Sequence, residues 1–233
     1  FVEITRSAGL ASSPWSLGAV SADFDNDGDF DLYISGYSGA GKLYRNDGRA
    51  RFTDVSKASG LNAVKSVGAT AGQIDADLLT DIVVSGFSGP ARVYKNLGDM
   101  KFTEVSTAGL RDFNRNEGLT LADLDDDGDL DLYISNLEGN NRLYENLLVD
   151  KHFLKVLFGC VKPALEGSVA RLSREGQLLA VQELSGATGM GQGPPEFLFR
   201  LPDAGPFDLD LTLPDGRIIK KRNLSPGTLK LNL

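Results

Sequence analysis

Two nearly identical acidic stretches hold most of the chemistry available to this sequence. They read Asp23-Phe24-Asp25-Asn26-Asp27-Gly28-Asp29-Phe30-Asp31 and Asp123-Leu124-Asp125-Asp126-Asp127-Gly128-Asp129-Leu130-Asp131. In each, carboxylates fall at loop positions 1, 3, 5 and 9, and a Gly stands at position 6, where the backbone must turn sharply. Like charges a few ångströms apart repel by roughly 4 kcal/mol per pair at an effective dielectric of about 20. A cation relieves that repulsion; the alternative is a solvated acidic turn. Oxygen donors suit a hard ion, and Ca²⁺, which takes ~6–8 oxygens in flexible geometry, fits better than Mg²⁺. The residues therefore nominate Asp23, Asp25, Asp27 and Asp31 as one ligand set and Asp123, Asp125, Asp127 and Asp131 as a second.

An EF-hand is excluded. That motif needs a bidentate Glu at position 12 and flanking helices, whereas position 12 is Ile34 in one copy and Ile134 in the other. The residues that follow, Asp31-Leu32-Tyr33-Ile34-Ser35 and Asp131-Leu132-Tyr133-Ile134-Ser135, are apolar and β-branched and read as strand. The ion is thus expected in a turn between two strands, with Asp31 and Asp131 closing the cage. Midway between the copies lies Gln73-Ile74-Asp75-Ala76-Asp77-Leu78-Leu79-Thr80-Asp81. Position 1 has lost its charge and the turn Gly is Leu78. Asp75, Asp77 and Asp81 remain, a weak or vestigial site that is expected to be empty or poorly occupied.

Other chemistry is sparse. His152 is the only histidine and Cys160 the only cysteine. A zinc cluster, an internal disulfide and a Ser-His-Asp or Cys-His machine are disfavoured, and both residues read as structural. The stretch Gly186-Ala187-Thr188-Gly189-Met190-Gly191-Gln192-Gly193 lacks the Lys-Ser/Thr and helix of a phosphate loop and reads as a flexible connection.

The positioning elements follow from an internal repeat. Asp23, Gln73 and Asp123 are spaced 50 residues apart. The remainder of each unit keeps step: Lys42-Leu43-Tyr44-Arg45-Asn46, Arg92-Val93-Tyr94-Lys95-Asn96 and Arg142-Leu143-Tyr144-Glu145-Asn146. Phe52-Thr53-Asp54-Val55 matches Phe102-Thr103-Glu104-Val105, and Ala/Ser-Gly-Leu turns follow at Gly60-Leu61 and Gly109-Leu110. Each unit predicts four short strands, and such units in series predict an all-β protein of β-propeller blades, about three here. Phe1–Thr5 reads as the fourth strand of a blade, free to close the third repeat, which lacks one. Three blades fall below the usual ~4–8, which suggests a fragment of a larger propeller, with self-association through open blade edges as the other outcome.

Charge divides the chain at the same place as the repeat. Residues 1–150 carry 24 acidic and 13 basic side chains, while residues 151–233 carry 8 and 11. This predicts two domains, 1–150 and 151–233, the second a small β domain without the repeat. An acidic repeat region argues against a nucleic-acid partner. No apolar run is long enough to span a bilayer and no signal-peptide pattern opens the chain.

The repeat, with F-x-D/E-V near an A-G-L turn, A-D-F-D-N-D-G-D-x-D-L-Y and L-Y-R-N, resembles the FG-GAP or VCBS repeat of integrin-α-like propellers. Residues 151–233 resemble the ASPIC/UnbV domain that follows such repeats in chains related to cartilage acidic protein and in bacterial relatives. The matching pieces are Lys151-His152-Phe153-Leu154-Lys155-Val156, the Gly186–Gly193 loop leading to Phe197-Leu198-Phe199, and Leu213-Pro214-Asp215-Gly216-Arg217. The resemblance implies a secreted, cell-surface or periplasmic, Ca²⁺-dependent binding or adhesion module whose partner is an extracellular protein or glycan. It also implies the carbonyls of Asp29 and Asp129 as additional calcium ligands. Three functions compete. A non-enzymatic scaffold leads. A lectin is the alternative, with Trp15, Tyr37 and Phe87 available to stack on sugars unless they pack between blades. A glycosidase-like carboxylate pair is least favoured, because the clustered Asp residues are already claimed by the metal loops.

Overall fold

Short apolar segments separated by Gly and Asn turns satisfy their backbone groups only by pairing with a neighbour. The first two repeats pair within themselves. In the first, β1 (Ala19–Ala22), β2 (Asp31–Ile34), β3 (Lys42–Asn46) and β4 (Phe52–Asp54) form one antiparallel sheet in that order. In the second, β5 (Ala69–Gly72), β6 (Asp81–Val84), β7 (Arg92–Asn96) and β8 (Phe102–Val105) do the same. In the third, β9 (Asn116–Ala122), β10 (Asp131–Asn136) and β11 (Arg142–Tyr144) form a three-stranded sheet ordered β11-β10-β9. This computed structural model describes the chain except residues 11–14, 62–64, 88, 106–108, 111–114, 149–151, 160–164, 185–195 and 233. Cys160 and the Gly186–Gly193 stretch lie outside the described residues.

The register is the same in all three sheets. Ala22 faces Asp31, Gly72 faces Asp81 and Ala122 faces Asp131. Each acidic loop is therefore the hairpin connection between the first two strands of its blade.

Side-chain alternation along the strands stacks the blades. Val20, Tyr33 and Leu43 of the first meet Ile82, Val84 and Tyr94 of the second. Val83 and Val93, on the opposite face of the second, meet Leu119, Leu121, Leu132 and Ile134 of the third. Hence every residue of β6 is buried. At roughly 1.5–3 kcal/mol per buried aliphatic side chain, these two seams supply much of what holds the blades together. Asparagine side chains add polar links across the seams: Asn96 Nδ2 donates to Phe24 O at 2.8 Å, and Asn146 Nδ2 to Ile74 O at 3.1 Å.

Phe1–Thr5 is not a strand, which corrects the expectation from sequence. Phe1 and Val2 are exposed, and the carbonyls of Ile4 and Thr5 accept from Ala8 N at 2.8 Å and Leu10 N at 3.0 Å, so the segment is drawn into a turn instead of a sheet. The turn after it has a different role. Phe52 N donates to Ala8 O at 2.8 Å, and Phe102 N donates to Ser59 O at 2.6 Å, so each such turn buttresses the fourth strand of the next blade.

Beyond residue 151, β12 (Phe153–Phe158) lies between β15 (Glu196–Arg200) and β18 (Gly227–Leu231), parallel to the latter. A second sheet runs β14 (Gln177–Glu183), β13 (Val169–Arg174), β16 (Phe207–Thr212), β17 (Ile218–Leu224). The two sheets close as a sandwich over Leu154, Val156, Leu172, Phe197, Phe199, Phe207, Leu209 and Leu211, a core that Leu78 of the second repeat also joins. Pro214-Asp215-Gly216 forms a turn, with Gly216 N donating to Leu213 O at 2.9 Å. β17 extends to Leu224, where its far end pairs with Phe207.

Candidate metal sites

The hairpins bring Asp23, Asp25 and Asp27 together, with one carboxylate oxygen of each within 4.8 Å of the others; Asp123, Asp125 and Asp127 converge in the same way. Local backbone bonds build the cage. Asp23 accepts from Asp27 N at 3.2 Å and Gly28 N at 3.0 Å, and Asp27 accepts from Asp29 N at 2.9 Å. Asn26 and Gly28 adopt left-handed backbone, as do Asp126 and Gly128. Asn and Gly tolerate that region best.

Electrostatics show the strain of the cluster. Burial pushes Asp23 up to about 6, and the neighbouring Asp25 and Asp27 carboxylates push it further against the Gly28 hydrogen bond. Asp25 is raised by burial and by Asp27. A buried oxygen of Asp25, Oδ1, has no hydrogen-bond partner, and neither has Oδ1 of Asp123. Buried polar atoms are normally satisfied. Oxygen-only donors, convergent charge and an orphaned buried oxygen fit a hard divalent cation.

The residue at position 9 has another task. Asp31 accepts from Phe24 N at 2.9 Å and Asn46 N at 2.8 Å. Asp81 accepts from Ile74 N and Asn96 N, and Asp131 from Leu124 N and Asn146 N. In all three, one oxygen holds the loop and the other the Asn at or just past the end of the third strand, and this holds in the middle blade as well. Asp31 and Asp131 are not among the carboxylates whose oxygens converge, so the closing of the cage by position 9 stays an expectation from the repeat. Asp29 is exposed, whereas Asp129 is buried.

The middle loop is not simply eroded. Lys95 Nζ is bonded to Asp75 and lies 3.3 Å from Asp77, so a lysine ammonium from the loop's own blade neutralises these two carboxylates. The reason lies two residues on. In the first blade Arg45 is held by Asp47 at 2.7 Å; the second has Leu97 there, and Lys95 turns to the loop. Gln73 accepts from Arg200 N at 3.0 Å and donates to Leu78 O at 3.1 Å. Leu78, left-handed at φ 65°, belongs to the core of the sandwich. The two substitutions that read as decay are contacts to the C-terminal sandwich.

The third loop also meets that domain. Lys155, buried, binds Asp123 at 2.9 Å and Asp126 at 2.6 Å. Arg200 Nη1 lies 3.3 Å from Gly128 O and 3.4 Å from Asp129. A Cβ on Gly128 would stand 2.0 Å from the Phe153 ring, so the Gly serves a close approach as well as the turn. Sequence reasoning missed Lys95, Lys155 and Arg200; only the alignment of Lys95 with Arg45 hinted at any of them.

At the other end of the blades, Tyr37 meets Phe87 edge-on at 5.0 Å, and Arg115 stacks 4.5 Å over Phe87. These two rings join neighbouring blades, while Trp15 remains exposed.

A family model for the FG-GAP-like repeat matches residues 23–84 and 74–134. The chain carries FG-GAP-like repeats. Each match runs from one acidic loop to the strand after the next, so the two overlap on the middle loop and its strand. A search of curated proteins returns no match. No helix among the described residues is long and apolar enough to cross a membrane.

Proposed function

We propose that the chain is a calcium-stabilised extracellular or surface-exposed binding scaffold without catalytic activity, its partner an extracellular protein or glycan. The observation that carries the reading is the convergence of Asp23, Asp25 and Asp27 around an unpartnered buried oxygen. Asp23, Asp25 and Asp27 would hold the ion, with Asp31 and the Asp29 carbonyl completing the set that the repeat family implies; Asp123, Asp125, Asp127, Asp129 and Asp131 are the second. Bound calcium would supply charge neutralisation. The chain's own residues supply the rest: backbone amides fix the carboxylates, and position 9 ties the loop to its sheet. The C-terminal sandwich is proposed as an ASPIC/UnbV-like domain. The remaining acidic groups argue for a scaffold over an enzyme, since Asp31, Asp81 and Asp131 are bonded to backbone and Asp75 and Asp77 to Lys95. A lectin reading rests on exposed Trp15, and a glycan array with and without Ca²⁺ separates the two.

A ligand bound only by the folded state stabilises it by about 2.7 kcal/mol at a hundredfold excess over Kd. Melting of the chelator-stripped chain should therefore rise with millimolar Ca²⁺, the range of extracellular modules at about 10⁻⁴–10⁻³ M. Asp27→Ala should remove much of the rise and Asp77→Ala little. Absence of any calcium effect on melting would end this reading.

A further inference from the structure

We infer that the third acidic loop is neutralised by the protein itself, and that Lys155 sets its affinity for metal by competing for Asp123. The inference rests on the reading of these loops as calcium sites and says which loop the ion prefers.

The three loops meet the sandwich in chemically different ways. In the first loop, position 4 is Asn26, whose neutral amide donates to Leu179 O at 2.8 Å. Among the described residues no lysine bonds Asp23, Asp25 or Asp27, and the nearby Arg45, whose charge favours ionised Asp25, is itself bonded to Asp47. In the third loop, position 4 is Asp126, and it binds the Lys155 ammonium at 2.6 Å. The same ammonium takes Asp123 Oδ2 at 2.9 Å, with Glu196 at 3.8 Å on its other side. Its side chain is only 6% exposed, so it cannot swing into solvent while the sandwich stays docked. Arg200 adds a second buried cation beside Asp129. In the middle loop Lys95 has the same role from within the blade.

A buried ammonium bonded to a carboxylate and a divalent ion bonded to the same carboxylate repel each other. Either the metal binds more weakly, or Lys155 must give up bonds that fix the sandwich on the blades. Metal occupancy at residues 123–131 and docking through Lys155 therefore oppose each other, whereas residues 23–31 bind metal without that cost. Repulsion between a divalent and a monovalent cation a few ångströms apart, even in a water-like dielectric, weakens binding by roughly tenfold or more.

The experiment is calcium titration of the chelator-stripped full chain by calorimetry. One tight site and one at least about tenfold weaker are expected. Asp25→Asn should remove the tight site, and Asp125→Asn should leave it intact. Lys155→Gln, which keeps a donor near Asp123 and removes the charge, should tighten the weak site by roughly tenfold. Should Lys155→Gln fail to fold, the Asp25→Asn and Asp125→Asn pair decides alone. Two sites of equal affinity, or equal losses from Asp25→Asn and Asp125→Asn, would overturn the inference while leaving the calcium reading in place. No calcium binding at all would overturn both.

Discussion

Single side chains decide what each loop does, and Asp81 shows the position-9 residue most cleanly because a lysine already occupies its loop. Burial pushes Asp81 up to about 7, against the two backbone N–H groups that favour its charged form. An acid with a raised folded pKa holds a proton in the native state that the unfolded chain has released. Its stabilising contribution is full below the ordinary value of 3.8 and is lost as pH rises to about 7. Relative to Asp81→Asn, the metal-free chain should therefore lose stability in urea melts between pH 4 and pH 7, each pKa unit being about 1.4 kcal/mol. A difference that grows in the opposite direction would show that the amide bonds outweigh desolvation. Asn96 is a second single-residue lever. Its side chain donates to Phe24 O in the preceding blade and to Thr80 O, while Asn46 donates only to Phe30 O in its own blade. Asn96→Ala leaves two buried carbonyls unpaired and should cost about 2–6 kcal/mol, at about 1–3 kcal/mol per stranded group. Asn46→Ala should cost clearly less, and equal costs would remove the inter-blade link from the account.

At the scale of elements, the hairpin loops carry two loads. They close β1–β2, β5–β6 and β9–β10, and they present a platform to the sandwich. Leu78 tests the second load. Its left-handed backbone is costly for a side chain, by roughly 1–2 kcal/mol, and the other two loops have Gly there. If the residue were only a lapse from the motif, Leu78→Gly would stabilise the chain. Because Leu78 is 7% exposed within the sandwich core, truncation should cost about 2–5 kcal/mol in packing. The expected outcome is net destabilisation in chemical denaturation and faster proteolysis between blades and sandwich. A gain in stability would mean that this contact holds nothing.

At the scale of the molecule, the stack of three blades ends on open faces. Tyr133 is 39% exposed where the equivalent Tyr33 and Val83 are 4% and 0% exposed. Leu143 is 59% exposed where Leu43 and Val93 are 0% and 8%. At the other end, Leu32 and Ile34 are half-buried, while their equivalents Ile82, Val84, Leu132 and Ile134 are buried. The front of the third blade is thus built like the faces that receive a blade, and the back of the first like the faces that enter one. A second copy can supply the missing neighbour head-to-tail, an association that closes into a ring or runs on as a filament. Sedimentation velocity should show mass rising with concentration, and Leu143→Glu should shift it towards monomer. A wild-type chain that stays monomeric at high concentration would refute this.

Much of this protein was determined by local pattern. Strand alternation, the 50-residue repeat and the D-x-D-x-D-G-x-x-D spacing need only nearest neighbours, and they placed the blades, the hairpins and the convergence of Asp23, Asp25 and Asp27. Phe1–Thr5 was misread for the same reason: its pattern is that of a strand, but pairing needs an edge that no local signal reports. The charge balance of the loops was also beyond sequence. Lys155 and Arg200 lie far along the chain from Asp123 and Asp129, and Leu78 is equally remote from the β strands whose core it joins. Which cation satisfies an acidic loop depends on what desolvates it, and desolvation is a property of the docked domains. The sequence by itself therefore determined where negative charge gathers, and the tertiary structure decided which loops the protein neutralises with its own lysines and which it leaves open to a metal.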